Sequence, residues 1–176
     1  MTRIYTLVNQ KGGVGKTTTA INVGAYLAKM GKSVLVVDLD PQANATSSLG
    51  VDKRSVQSST YDALLVGDVP TASILFNERL QISLLPSSPA LAGAEIELVD
   101  ELGREFKLRK ALESLDGKFD YILIDCPPSL GILTVNGLIA SRDGVLVPVQ
   151  CEYLALEGLG QISQTIARVR SVLFPE

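Results

Sequence analysis

The run Lys11, Gly12, Gly13, Val14, Gly15, Lys16, Thr17, Thr18 carries the residue types needed to hold a chain of phosphates. Such a ligand needs converging backbone N–H groups, a backbone that can approach it closely, the positive end of a helix, and a cation. Gly12, Gly13 and Gly15 permit the close wrap, and a helix beginning at Lys16 supplies the dipole. Lys16 reaches the outer phosphates, and the Thr17 hydroxyl suits magnesium. The general pattern GxxxxGK[ST] asks for glycine at position 10, where this chain has Gln10, and a second lysine, Lys11, opens the loop. Three acids fall where they can serve the same ligand. Asp125 ends an aliphatic run, the position from which a carboxylate holds magnesium through water. Asp38 and Asp40 end another such run, and ligands of open α/β sheets collect at the carboxyl edge of the strands. A helix cap or a solvated loop acid is a fair alternative for Asp38, a weaker one for Asp40 and the weakest for Asp125. The chain has no histidine, so any chemistry runs on Lys, Asp, Glu, Ser, Thr and backbone amides.

The elements that must position these groups are legible from periodicity. Ile4 to Val8 is a short apolar run leading into the glycine loop, and apolar Val23, Leu27 and Met30 then recur at helical intervals up to Gly31. SVLVVDLD follows as a continuous aliphatic strand, completing a strand, loop, helix, strand unit. Residues 41 to 58 are polar and contain Gly and Ser, which predicts a mobile surface loop. A short helix is expected near Tyr61 to Val66 and a strand near Gln81 to Leu85. Ala90 to Leu115 has helical periodicity interrupted around Gly103, with Arg104, Lys107, Arg109 and Lys110 on a solvated face. FDYILID is the next strand; the prolines in CPPSLG end it, and GVLVPVQ is a further strand. From Leu156 onward, Leu159, Ile162, Ile166, Val169 and Leu173 mark an amphipathic helix closed by Pro175. Strands alternating with helices predict an α/β fold with a mostly parallel twisted sheet and helices on both faces.

Composition agrees. Of the 176 residues, 46% are hydrophobic and only 5% aromatic, so aliphatic side chains and alanine build the core of a sheet covered on both faces. A net charge of -3 gives no global attraction to nucleic acid, so DNA binding would need a local basic patch. Cys126 and Cys151 lack redox or zinc spacing and read as buried small hydrophobes in a reducing cytoplasm. No stretch is long enough for a signal-peptide core or a membrane span.

NQKGGVGKTTTAINVGAYLA, VLVVDLDPQANATSSLG, YILIDCPPSLG and PVQCEYLALEGL resemble four successive blocks of the ParA/Soj partitioning ATPases, in the ParA/MinD superfamily, and together span most of the chain. Gln10 followed by Lys11 matches that superfamily's deviant Walker A form, KGGxGK[ST]. The resemblance implies a P-loop NTPase fold over residues 1–176 that binds ATP or ADP with Mg2+, forms an ATP-dependent homodimer and hydrolyses ATP slowly. It further implies that Lys11 crosses to the partner subunit's nucleotide, that Asp40 positions the attacking water, and that Asp125 and the turn after it form a second switch. Glu152 would approach the nucleotide ribose across the dimer. Implied partners are nonspecific DNA and a ParB-like centromere-binding protein, for a cytoplasmic protein that joins the nucleoid when ATP-bound. The family continues past Phe174 with elements completing the adenine pocket and much of the DNA-binding surface, so the domain is expected to be incomplete at its carboxyl end.

Other superfamily members fit less well. Iron-protein relatives need cysteines that share a cluster at a dimer interface, whereas Cys126 directly follows Asp125 and Cys151 ends another strand. A MinD-like cell-division ATPase would end in a basic membrane helix, and here the terminal helix offers only Arg168 and Arg170. The helix-turn-helix extension of larger plasmid ParA proteins is not seen before the first strand. Alternatives from other classes are a metabolic P-loop enzyme that phosphorylates or activates a small carboxylate, and a noncatalytic nucleotide-binding fragment.

Overall fold

The computed structural model describes residues 1–151 and 155–173. Its strands are β1 (Arg3–Leu7), β2 (Val34–Asp38), β3 (Leu75–Asn77), β4 (Ile82–Leu85), β5 (Tyr121–Asp125) and β6 (Gly144–Leu146). Among the described residues they form one sheet in the order β3-β4-β2-β5-β1-β6, parallel at every pairing except β3 with β4. The helices are α1 (Lys16–Lys29), α2 (Asn44–Ser48), α3 (Thr60–Val66), α4 (Leu91–Glu97), α5 (Lys107–Glu113), α6 (Ile132–Ala140) and α7 (Ala155–Leu173).

The aliphatic runs read as strands are buried on both faces for the reason their composition suggested. In β2, Val34 and Val36 turn to the core under α1, joined by Leu7, Ala20 and Leu123. The alternate residues Leu35 and Val37 turn the other way, into a core with Leu64, Leu91, Leu108, Leu112, Ile122 and Leu133 from the opposite layer. Helix α1 lies close to the sheet because Gly24 sits over Val34, Val36 and Leu123, where an added Cβ would already touch at 3.5 to 3.6 Å. Helix α7 is joined to the rest by Ile162, packed with Val8 and Leu138, with Ile166, Val169, Val145 and Val147 around them.

Several expectations needed correction. The polar stretch 41 to 58 contains helix α2, with Ala43, Ala45, Thr46 and Leu49 buried, so its start is anchored rather than a loose surface loop. The region 90 to 115 is α4 and α5 separated by short 3-10 turns at Leu98–Asp100 and Arg104–Phe106, and Gly103 takes the left-handed conformation with φ 67. Its cations are not simply solvated: Lys107 pairs with Glu101 at 2.9 Å and Arg104 with Glu105 at 3.2 Å. The strand expected over GVLVPVQ is only the three-residue β6. Helix α6 and the antiparallel edge strand β3 had no counterpart in the sequence reading. Cys126 is buried as expected, but Cys151 is exposed. Pro175 lies outside the described residues.

Helix α6 approaches the sheet where it has no side chain to obstruct it. A Cβ on Gly137 would stand 2.6 Å from Cys126 Sγ, 3.3 Å from Thr6 Cγ2 and 3.4 Å from Leu39 Cδ2. The Thr6 hydroxyl donates to the Gly137 carbonyl at 2.6 Å, fixing that close approach. Gly137→Ala should therefore destabilise the fold by about 1–3 kcal/mol through overpacking, despite a helix-propensity gain of about 1 kcal/mol. In a Cys126→Ala background the obstructing sulfur is gone and most of that loss should disappear. Urea unfolding of the two single variants and the double variant checks this, and strictly additive effects would contradict the packing account.

Candidate functional site

The parallel register brings the ends of β1, β2 and β5 to one level: Leu7 is paired with Asp125, and Asp125 with Asp38. From the end of β1 the chain turns through the glycine loop into α1. Asn9 holds the start of that turn, its Oδ1 accepting from Lys11 N at 3.0 Å while its Nδ2 donates to Pro148 O at 2.8 Å. Gly13 and Gly15 take the left-handed conformation, with φ 74 and 92, which a side chain would strain. Gly15 is the N-cap of α1 and has no side chain to occupy the orphan amides, so those amides and the helix dipole face the cleft.

Lys16 is only 6% exposed, and its ammonium lies 3.5 Å from the Lys11 carbonyl. Burial lowers its pKa, opposed by the negative charge of Asp125 and then Asp40. Thr17 donates its hydroxyl to Asp125 Oδ2 at 2.6 Å. Asp125 is 1% exposed, and its other oxygen, Oδ1, has no hydrogen-bond partner among the described residues. Burial pushes its pKa up to about 7, against the lowering effect of the Thr17 bond. Asp38 is likewise raised to about 6 by burial, although Thr46 holds it with both hydroxyl and backbone N–H.

A cleft of about 440 Å³ runs over these groups. One wall is the loop and helix start, including Gly12, Gly13, Gly15, Lys16, Thr17 and Thr18; the other is Asp40, Gln42, Asn44 and Ser48, with Pro128 beside them. Val14 is buried beneath the loop, and Lys11 is exposed at its outer end. The structure thus brings the sequence-predicted Gly12, Gly13, Gly15, Lys16, Thr17, Thr18 and Asp40 to one cleft, with Asp125 tied to it through Thr17. Glu152 lies outside the described residues. Asn9, Gln42, Asn44 and Ser48 were missed; only their closeness in sequence to the glycine loop and the acidic strand ends could have suggested them, whereas Pro128 belongs to the turn after Asp125 that was expected near the nucleotide. Asp38 is neither a solvated acid nor open to the cleft, being fully buried.

The donor set fits a hard divalent cation. A threonine hydroxyl and a buried carboxylate oxygen with no hydrogen-bond partner among the described residues are oxygen ligands of the kind magnesium takes, with waters and phosphate oxygens completing the shell. Among the described residues no group of three His, Cys, Asp or Glu side chains is placed to hold a metal alone. A larger cavity, about 750 Å³, opens behind the turn after Asp125 between α4, α6 and α7, and is lined by apolar side chains such as Leu98, Ile132 and Val169 together with charged ones such as Glu95, Arg104 and Arg168. It has no glycine loop, and the phosphate-binding features are all in the smaller cleft. No helix among the described residues is long and apolar enough to cross a membrane.

A family profile described as an AAA domain matches residues 2–175. The chain is 52% identical over 174 residues to the sporulation initiation inhibitor protein Soj of Bacillus subtilis, covering 98% of this chain and 68% of that protein. It is 51% identical to the chromosome partitioning protein ParA of Myxococcus xanthus, covering 99% of this chain and 61% of the relative's length. A crystal structure described as cobyrinic acid a,c-diamide synthase from Mycobacterium smegmatis, with bound ATP analogue and magnesium, superposes with a TM-score of 0.93 at 48% identity, covering 98% of this chain and 70% of that one.

The buried acids make the nucleotide-free protein sensitive to pH in a definite direction. Asp125 and Asp38 hold protons in the folded state at pH values where the unfolded chain has lost them. Their contribution is complete below about pH 4 and is lost as pH rises through about 6 to 7. Stability to urea without metal or nucleotide should therefore fall between pH 5 and pH 8, and Asp125→Asn should reduce that fall by about 1–3 kcal/mol. An unchanged slope in the variant would show that Asp125 ionises normally in the folded protein.

Proposed function

From the premise that this chain belongs to the ParA/Soj family, we propose that it binds ATP with magnesium, pairs with a second copy around the bound nucleotide, and hydrolyses it slowly as a switch in chromosome or plasmid partitioning. The observation that carries this reading is the meeting, in one cleft, of the glycine loop, the buried Lys16, the Thr17–Asp125 pair and Asp40. The loop amides and Lys16 bind the phosphates. Thr17 Oγ1 and, through water, Asp125 Oδ1 would hold magnesium, which when bound neutralises charge on the phosphate oxygens. Asp40, on the facing wall, orients the attacking water. Phosphoryl transfer asks for positioning and charge stabilisation more than covalent help, and these residues are suited to both.

In this reading Lys11 reaches the nucleotide of the partner copy from its exposed place at the loop's outer end, and nonspecific DNA and a ParB-like protein are the partners that use and reset the dimer. A second reading is favoured by one specific observation, the 48% identity to the protein described as a cobyrinic acid a,c-diamide synthase. It makes the chain part of a metabolic P-loop enzyme that activates a carboxylate. Phosphate release stimulated by a carboxylic acid substrate without DNA would select that reading, and stimulation by DNA together with a ParB-like protein would select partitioning.

The two-copy site has its own test at Gly12. A Cβ there meets nothing within 4 Å, and Gly12 is not among the residues with positive φ, so the chain itself tolerates a side chain. Any need for glycine comes from outside. Gly12→Val should still bind ATP, while the isopropyl group meets the facing copy at a cost of about 1–3 kcal/mol, enough to weaken pairing by about fivefold to a hundredfold. Sizing with saturating ATP, in an Asp40→Ala background that prevents turnover, compares the two. A monomeric parent, or a variant that pairs as well as its parent, would contradict the shared site.

A further inference from the structure

Behind the cleft wall that carries Asp40 lies a buried polar network that the phosphate chemistry does not use. Asp38, at the end of β2, is fully buried and accepts from Thr46 N at 2.8 Å, from Thr46 Oγ1 at 2.7 Å and from Asp40 N at 3.2 Å. Thr46 Oγ1 in turn accepts from Ser87 N at 2.9 Å, and Ser87 Oγ donates to the Asp40 carbonyl at 2.8 Å. Thr60 Oγ1, also buried, donates to the Asp38 carbonyl at 2.7 Å. The backbone of Asp40 is thus held at both ends, its N–H by Asp38 and its carbonyl by Ser87, and a single hydroxyl, that of Thr46, joins the two holders.

The helix that Thr46 belongs to needs this support. Helix α2 is five residues long, is made of Asn, Ala, Thr and Ser, and has no side-chain cap. Most of those are weak helix formers, and one and a half turns are too few to be stable alone. Its N-cap, Ala43, is buried with φ 53, a left-handed conformation unfavourable for a residue with a Cβ. What fixes this strained turn is the bond from Ala43 N to the Asp40 carbonyl at 2.8 Å and the double grip of Asp38 on Thr46. Asp40, Asn44 and Ser48 face the cleft from this segment, so its placement decides where the wall stands.

We propose that Asp38, Thr46 and Ser87 are positioning residues that set the place of Asp40 for hydrolysis, without contributing to nucleotide affinity. The inference rests on the reading of Asp40 as the residue that orients water. None of the three lines the cleft, and all three are buried, so their effect passes through the backbone of Asp40. Loosening that backbone changes the geometry of attack, where a displacement of about 1 Å can cost about a hundredfold in rate, while the loop amides and Lys16 keep their hold on the phosphates.

The test uses the full chain with MgATP and reads ATP affinity and phosphate release separately. Thr46→Val keeps shape and removes the joining hydroxyl; it should slow release by about tenfold or more while ATP affinity changes less than about threefold, and Thr46→Ser should restore release. Combined with Asp40→Ala, Thr46→Val should add no further loss, because both act on one step. Should Thr46→Val fail to fold, Ser87→Ala decides, since it removes only the bond to the Asp40 carbonyl and leaves Asp38 paired; it too should lower release with affinity kept. Wild-type release by the folded variants, or a parallel loss of affinity and release, would overturn the inference. If Asp40→Ala itself releases phosphate at the wild-type rate, it is the reading of Asp40 that fails; slow Thr46→Val beside an active Asp40→Ala would tie the network to another group.

Discussion

Two carboxylates stand side by side at the carboxyl edge of this sheet, and the site is organised around keeping them there. The parallel pairing of β2 with β5 sets Asp38 against Asp125, both almost wholly removed from water, with Lys16 buried nearby. Burial raises the pKa of both acids. Each is met by one threonine hydroxyl from the helix that follows a neighbouring loop: Thr17 from α1 for Asp125 and Thr46 from α2 for Asp38. The two pairs do different work. The Thr17–Asp125 pair meets the phosphate cleft through Thr17 and leaves Asp125 Oδ1 without a hydrogen-bond partner among the described residues, whereas the Thr46–Asp38 pair is sealed behind the wall that carries Asp40.

The rest of the fold serves that edge. Alternation along β2 and β5 sends aliphatic side chains into a core on each face, so the strand ends are fixed by packing from two sides. Gly24 lets α1 lie close to the sheet, aligning its N-terminus and Lys16 with the strand ends, and Gly137 does the same for α6 under the turn that follows Asp125. Thr134 Oγ1 bonds the Ser129 carbonyl at 2.6 Å, and the buried Asn136 ties α6 to Leu108 N and the Arg104 carbonyl, so that turn is held by a well-anchored helix.

Much of this was legible in the sequence because its signals are local. The glycine loop, the aliphatic runs of β2 and β5 and the apolar spacing of α1 each declare their structure within about a dozen residues, the range over which periodicity speaks. Helix α6 was missed because ILTVNGLIA is apolar nearly all round and follows two prolines, giving no amphipathic stripe. Helix α2 was missed because most of its residues are weak helix formers and its support comes from outside the segment, through the bonds to Asp38 and Ser87 and the burial of Ala45 and Leu49. Cys151 was expected inside because cysteine usually is, and a lone residue at the end of a short edge segment carries no pattern to say otherwise. The Asp38 network was out of reach for the same reason as α2: Thr46 and Ser87 meet across a separation of 41 residues.

The central claim is that the cleft binds a nucleoside triphosphate through its phosphates, with Lys16 as the cation that completes the loop. Calorimetric titration of ATP with magnesium into the chain and into Lys16→Ala tests it most directly. The account predicts clear binding by the unaltered chain and a loss of more than about tenfold, above 1.4 kcal/mol, in the variant. Binding by Lys16→Ala within tenfold of the parent would contradict it.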